Sequence, residues 1–458
     1  MKIGILCVSM CFAGAAFCGP LDKAWIKGET DKDPLAYAPN EEMTFTLTAM
    51  DVEGTVPPGE YFLDWKRSDD HGTVEKGKIP LERMPFTYKA KLGQAGFVRL
   101  EAYVVDKAGK RYVKTFTGDA TTPEGKRAMN AFERSKKNVF FDGGAGVAVD
   151  TLRTQPEPAD FDAFWAKQYK RLDRVPMKAD LIPVACSNPK ARIFAVRIDS
   201  AGLRPVTGYL SYPTAVDAGQ TFPARLETHG YSGDGCTHGT PSWARDNEIV
   251  LNINAHGLKL VEFGATEADT KALRWEVRSH DQTYAFDAKQ NEDPEVAYFN
   301  GMVLRVKRAL QYLKTVKGWN GKDLFASGGS QGGLQTIWAA ACGEGVTRAE
   351  SGITWCCDMA QNNVRRAGKI STDWWYIPWT DSMGYYDAAV FAKRIPKSCL
   401  TIITRAGLGD YCCPPMGLAK LWNNLSCPRK IVWVQGSEHG YVPPAYPTRD
   451  WVREDAGR

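Results

Sequence analysis

Residues 324–335 read Leu324-Phe325-Ala326-Ser327-Gly328-Gly329-Ser330-Gln331-Gly332-Gly333-Leu334-Gln335. The apolar start predicts a short buried strand, and the helix formers from Leu334 to Ala341 predict a helix directly after it. Between them lies a G-x-S-x-G pattern, the mark of a serine held on a sharp strand-to-helix turn. Such a turn forces strained backbone angles on Ser330, and a side chain two residues either way would collide with neighbouring elements. Gly328 and Gly332 occupy those places. The helix that follows aims N–H groups and the positive end of its dipole at the spot where an oxyanion would form.

Length and composition frame this turn. The chain has 458 residues, 43% apolar and 24% charged, which predicts a globular protein of two or three domains. Lys and Arg number 58 against 53 Asp and Glu, with no basic run long enough for a nucleic-acid stripe, so no nucleic-acid partner is expected. Met1-Lys2, the apolar stretch from Ile3 to Phe12 and the small residues Ala13 to Ala16 read as a signal peptide over residues 1–18. Cys18 offers a competing site for lipidation, but bulky Phe17 precedes it where a lipoprotein signal has a small residue. No later stretch predicts a membrane span, so an exported protein is expected, secreted or periplasmic. Nine of the 12 cysteines lie beyond this leader, and their spacing fits no zinc pattern.

Taken in order, residues 19–118 predict a small all-β sandwich. Met43–Thr48, Tyr61–Trp65, Phe86–Leu92, Phe97–Val105 and Arg111–Phe116 are β-rich and separated by turn formers such as Pro57-Pro58-Gly59. Residues 119–150, polar and then glycine-rich, read as a connector. From 151 to 458 strands alternate with helices, which predicts an α/β layer with a mostly parallel sheet flanked by helices. Strands are expected at Arg192–Ile198, Val206–Ser211, Ala224–Thr228, Ile249–Asn254, Leu324–Ser327, Ser351–Cys356, Cys399–Thr404 and Lys430–Val434. A helix is expected over Pro294–Lys314 with Asp293 as its cap, and another after Asp160.

Open α/β sheets bind ligands beyond the carboxyl ends of their strands, so the residues just after each expected strand carry the chemistry. They are His229-Gly230-Tyr231, Ala255-His256-Gly257, Ser330, Asp358, Asp410 and His439. A Ser-acid-His order suits the α/β-hydrolase arrangement, and His439 is the only histidine after Ser330. The acid is open between Asp358 and Asp410, with Asp373, Asp381, Asp387 and Glu438 less well placed. Context favours Asp410, which ends a strand and glycine-bearing loop and precedes the last expected strand.

The Gly328-Gly329-Ser330-Gln331-Gly332-Gly333 segment, Gly407-Leu408-Gly409-Asp410 with Cys413-Pro414-Pro415, the His229-Gly230-Tyr231 turn and the Asp160-Phe161-Asp162-Ala163-Phe164-Trp165 opening resemble the acetyl xylan esterase and cephalosporin-C deacetylase family of carbohydrate esterases. The resemblance covers roughly residues 150 to 450. It implies an α/β-hydrolase fold and a serine esterase removing acetyl groups from carbohydrates such as xylan. Ser330 would be nucleophile, Asp410 acid, His439 base, and the N–H groups of Tyr231 and Gln331 the oxyanion hole. No metal or organic cofactor is implied. Like subunits in that family form a ring, so a homo-oligomer is implied as well, although the added sandwich would intrude on it. Ala255-His256-Gly257 stands where the family has Arg-Gly-Gln, and Gly440 follows His439 where the family has Glu.

The run Trp374-Trp375-Tyr376-Ile377-Pro378-Trp379 offers flat apolar faces for a sugar ring or for packing of a cap. Trp374, Trp375 and Trp379 are therefore expected substrate contacts, and His256, just after its strand, either lines the pocket with them or hydrogen-bonds within its loop. Two rival readings stand beside the esterase. One is a serine peptidase of the prolyl-oligopeptidase type, whose propeller needs more chain than precedes the core. The other is a carbohydrate-binding protein with an inert hydrolase domain, against which a full triad in order argues.

Overall fold

The computed structural model describes residues 19–232, 244–360 and 375–457, so the leader expected at 1–18 lies outside the described residues. Seven strands come first: β1 (Trp25–Thr30), β2 (Met43–Met50), β3 (Tyr61–Asp69), β4 (Val74–Pro80), β5 (Phe86–Ala90), β6 (Gly96–Asp106) and β7 (Phe140–Val147). They form two antiparallel sheets, β1-β2-β5 and β4-β3-β6-β7. Alternation decides which faces meet: Met43, Phe45 and Leu47 are fully buried while the threonines between them are not. With Leu63, Val98, Leu100 and Phe141 they make one apolar cluster.

Two expectations change here. Residues 111–116 make only isolated bridges, Val105 to Arg111 and Val113 to Asn138, rather than a strand. The stretch read as a connector contains helix α1 (Pro123–Arg134), capped by Thr122 and burying none of its residues, and then β7.

After α2 (Phe161–Asp173) the chain builds a ten-stranded mixed sheet. Its strands are β8 (Ala179–Val184), β9 (Ala191–Ile198), β10 (Val206–Pro213), β11 (Phe222–Thr228), β12 (Ile249–Ile253), β13 (Trp319–Gly329), β14 (Arg348–Gly352), β15 (Leu400–Gly407), β16 (Arg429–Val434) and β17 (Asp450–Asp455). The spatial order is β17-β16-β15-β14-β13-β11-β12-β10-β9-β8, with β11 to β16 mutually parallel and antiparallel strands at both edges. Helices α3 (Glu267–Glu276), α4 (Tyr298–Leu313), α5 (Gln331–Ala341), α6 (Ala388–Phe391) and α7 (Pro415–Asn424) complete the layers. Central α5 is wholly apolar or small outside Gln331, Gln335 and Thr336 and buries ten of its 11 residues. This is an α/β-hydrolase-like fold with a large mixed sheet. Among the described residues no helix is long and apolar enough to cross a membrane.

Two element boundaries shifted for physical reasons. Strand β14 lies three residues before its expected start because its first half is charged, and those charges are paired within the sheet. Arg225 on β11 bonds Glu350 on β14 at 2.7 Å and Glu248 at 2.9 Å. Helix α4 starts at Tyr298, not Pro294. Asp293 instead turns the chain just before it, its carbonyl accepting from Ala297 N–H at 2.9 Å.

The N-terminal sheets press on the end of the large sheet where β15 and β16 finish. Gln435 exchanges two hydrogen bonds with the backbone of Gly144 on β7, at 3.0 and 2.9 Å. Arg99 on β6 binds Asp142 through two bonds of 2.8 and 2.6 Å, and its guanidinium lies 4.2 Å over the ring of Tyr411.

Candidate active site

All six parallel strands deliver their carboxyl ends to one edge, so the loops after them converge. Strand β13 ends at Gly329, and Ser330 takes φ 58° and ψ −120°, a strained conformation that costs on the order of 1–3 kcal/mol and persists only when its surroundings enforce it. The surroundings do so. Ser330 N–H donates to Gly352 O at 2.8 Å, and Ser330 O accepts from Leu334 and Trp355 at 3.0 and 3.1 Å. A Cβ at Gly328 would fall 2.4 Å from Thr228 Oγ1, and one at Gly332 would fall 2.5 Å from Thr228 O. The glycines are thus required because the elbow lies directly against the end of β11.

The loop after β11 faces this serine. A Cβ on Gly230 would sit 4.0 Å from Ser330 Cβ, which brings the residue before Tyr231 alongside the elbow. His229 locks the turn. Its Nε2 accepts from Ala255 N–H at 2.9 Å and its Nδ1 donates to Gly230 O at 2.7 Å, so one tautomer satisfies both bonds.

Asp410 and His439 meet at the ends of β15 and β16. The His439 Nδ1 lies 3.0 and 3.2 Å from the two carboxylate oxygens of Asp410. Asp410 is fully buried, and its Oδ1 also accepts the N–H groups of Cys412 and Cys413 at 3.0 Å each. Such bonds fix the carboxylate and leave it facing the imidazole. Asp358, the other candidate acid, is bound instead by Lys420 at 2.7 Å. Donor atoms of Asp410, Cys413 and His439 lie within 4.8 Å of one another, the one such group among the described residues with spacing suited to a metal ion. Its carboxylate is already engaged by His439 and two backbone donors, the arrangement of an acid–base pair.

Of the four candidate substrate contacts, Trp374 lies outside the described residues. Trp375 sits between the two halves of the site, its ring 6.4 Å from that of His439 and 5.4 Å from that of Tyr231. Trp379 lines a separate cavity with Pro158, Pro294 and Tyr385. His256 requires correction. It is fully buried, its Nδ1 2.8 Å from the Tyr298 hydroxyl and its Nε2 2.8 Å from Ser232 O. With both nitrogens used it is a strut behind the Tyr231 loop and not a surface for substrate.

Burial pushes the His256 imidazole down to about 3, against an ordinary value of 6.5. The folded state therefore holds it neutral where the unfolded chain takes up a proton. Its contribution to stability is complete above about pH 6.5 and is lost as the pH falls toward about 3, at up to about 1.4 kcal/mol per pH unit. Urea unfolding between pH 6.5 and 4 is expected to show a steeper loss in the wild type than in His256→Asn; parallel slopes would contradict this assignment.

Tyr284 was not found from the sequence. It is 1% exposed, stacks on Tyr231 at 4.4 Å, and its hydroxyl accepts from Ser232 N–H at 3.3 Å while donating to Gln331 Oε1 at 2.7 Å. One phenol thus ties the residue after Tyr231 to the residue after Ser330. It lies in an irregular stretch between α3 and α4, where no periodicity singles it out.

A strained serine at the end of a central parallel strand and a carboxylate–imidazole pair thus share one edge of this α/β-hydrolase-like fold. Residues 149–368 match the model of the acetyl xylan esterase family (AXE1), which bears out the resemblance read from the sequence. Acetyl esterase Axe7A of Xylanibacter ruminicola is 26% identical over 290 residues, covering 62% of this chain and 63% of that protein. The fold is shared with two solved structures, each with a TM-score of 0.51. The acetyl xylan esterase from Paenibacillus sp. R4 is 21% identical, covering 64% of this chain and 93% of that one. Acetyl xylan esterase 1 from Thermoanaerobacterium sp. JW/SL YS485 is 17% identical, covering 64% and 92%.

Proposed function

We propose that the protein is an exported serine esterase that removes acetyl groups from carbohydrate hydroxyls, with Ser330, His439 and Asp410 as its triad. The observation that carries this reading is the Asp410–His439 pair on the sheet edge that also bears the strained Ser330. The acetyl xylan esterase family match supports the leaving acyl group and the substrate class, and the apolar leader supports export. The two antiparallel sheets form, in this reading, a sandwich domain that buttresses the acid and base loops.

In the reaction, Ser330 Oγ attacks the acetyl carbonyl as His439 takes its proton. The N–H groups of Tyr231 and Gln331 receive the developing oxyanion. Collapse breaks the ester bond, and the sugar oxygen leaves with the proton from His439. Water then attacks the acetyl-serine with His439 as base, releasing acetate and restoring Ser330. Sugar hydroxyls leave more readily than amide nitrogens, so this machinery suits esters over peptides. Trp375, beside His439, offers a flat face for a sugar ring.

The test is acetate release from acetylated xylo-oligosaccharides, together with a nitrophenyl ester series. Acetate release is expected, with turnover falling steeply beyond roughly four acyl carbons, since differential binding of added methylenes is worth about 1–3 kcal/mol each way. Faster turnover of an octanoyl ester, or peptide cleavage without deacetylation, would overturn the reading.

Tyr284 acts in this scheme as a positioning residue for both oxyanion donors. Tyr284→Phe keeps the ring stack but removes the hydroxyl shared by Ser232 N–H and Gln331 Oε1, a cost of about 1–3 kcal/mol at the buried Gln331 acceptor. A kcat lower by about 10- to 100-fold with KM nearly unchanged is expected. Equal kcat and a raised KM would show a binding role instead.

A further inference from the structure

Away from the triad, a cavity of about 270 Å³ opens between α2, the loop before β10 and the start of α4, lined by Arg171, Arg204, Glu295, Tyr298, Gly301 and Arg305. Arg305 is the unusual member. It is 4% exposed, and its Nε donates to Ala255 O at 3.0 Å. Its terminal nitrogens reach over Gly301, where an added Cβ would lie 3.3 Å from Nη1. Among the described residues no carboxylate pairs with this guanidinium, and buried charges are seldom left so. Burial lowers its pKa to about 10, and nearby Arg204 pushes the same way. Arg204 and Arg305 both act on the Tyr298 hydroxyl, so the two cations converge on one wall. Arg171 joins them from α2, bonded to Asn300 Oδ1 at 3.3 Å. The carboxylates nearby are already held: Glu295 by Lys167 at 2.5 Å, and exposed Glu276 by Arg204 at 3.1 Å.

We propose that the Arg171, Arg204 and Arg305 cavity is a binding site for a small oxyanion, a carboxylate or phosphate-type group. A buried guanidinium with free forked donors matches two oxygens of such an anion, and the rim arginines place further cationic groups beside it. The anion comes either free from solution or as a carboxylate carried on a saccharide. The cavity also touches the catalytic frame, because Tyr298 bonds His256, which bonds Ser232 beside Tyr231.

Calorimetry on the full chain, at constant ionic strength with chloride as control, tests this with sodium phosphate, sodium acetate and sodium glucuronate. Saturable binding with a Kd of about 0.1–10 mM is expected, weakened at least about tenfold by Arg305→Met and by Arg204→Met. Arg204→Met lies at the half-buried rim and keeps the test valid if the Arg305 variant fails to fold. Tighter binding of glucuronate than of acetate assigns the site to a saccharide carboxylate; equal binding assigns it to free anions. No saturable binding, or binding unchanged in Arg204→Met, would overturn the proposal.

Discussion

Ser330→Ala is expected to lower kcat by roughly four to six orders of magnitude, with His439→Ala equally damaging and the double variant little worse. The reason is that the residues act as a unit: without Oγ there is no acyl-enzyme, and without the imidazole Oγ keeps its proton. What remains comes from the backbone N–H groups and substrate binding. The strain at Ser330, φ 58° and ψ −120°, belongs to the backbone and its glycine neighbours, so Ser330→Ala should fold normally. Full activity in this variant would remove the nucleophile from the scheme.

Asp410→Asn is expected to cost about four orders of magnitude in kcat, and Asp358→Asn little in kcat. The contrast follows from their partners. Asp410 faces His439 Nδ1 and is held by two N–H donors, so an amide that keeps its oxygen on those donors would turn its NH2 toward Nδ1 and favour the wrong imidazole tautomer. Asp358 is buried against Lys420, so its loss unpairs a buried ammonium and appears as lower stability. Thermal unfolding beside kinetics separates the two effects. A dead Asp358→Asn with normal stability, and an active Asp410→Asn, would reverse the assignment.

The elbow was legible because one chemical demand, a serine on a turn too tight for neighbouring side chains, writes itself into the glycine spacing. The order of strand ends was legible too: the expected strands ending at Thr228, Ser327, Thr404 and Val434 run into the loops that carry Tyr231, Ser330, Asp410 and His439. What hid was whatever tertiary contact decides. Strand β7 carries Gly143, Gly144 and Gly146 and read as a connector. Gly144 is needed because its backbone is pressed between β6 and the acid loop: a Cβ there would lie 2.4 Å from Val98 O and 3.2 Å from Leu408 O. Charges at Arg348 and Glu350 disguised the start of β14, since Arg225, which pairs with Glu350 from β11, is distant in sequence. Tyr284 and the strut role of His256 depend on bonds between loops, which no local pattern encodes. The added N-terminal sheets could be seen as β structure, but not as the wall behind Asp410 and Tyr411.

The most direct test of the central claim is peptide-level mass spectrometry of the full chain after treatment with a fluorophosphonate ester. The account predicts one phosphonyl adduct on Ser330, formed in step with loss of esterase activity and absent in His439→Ala. An inactivated enzyme whose adduct lies on another residue, with Ser330 unmodified, would contradict it.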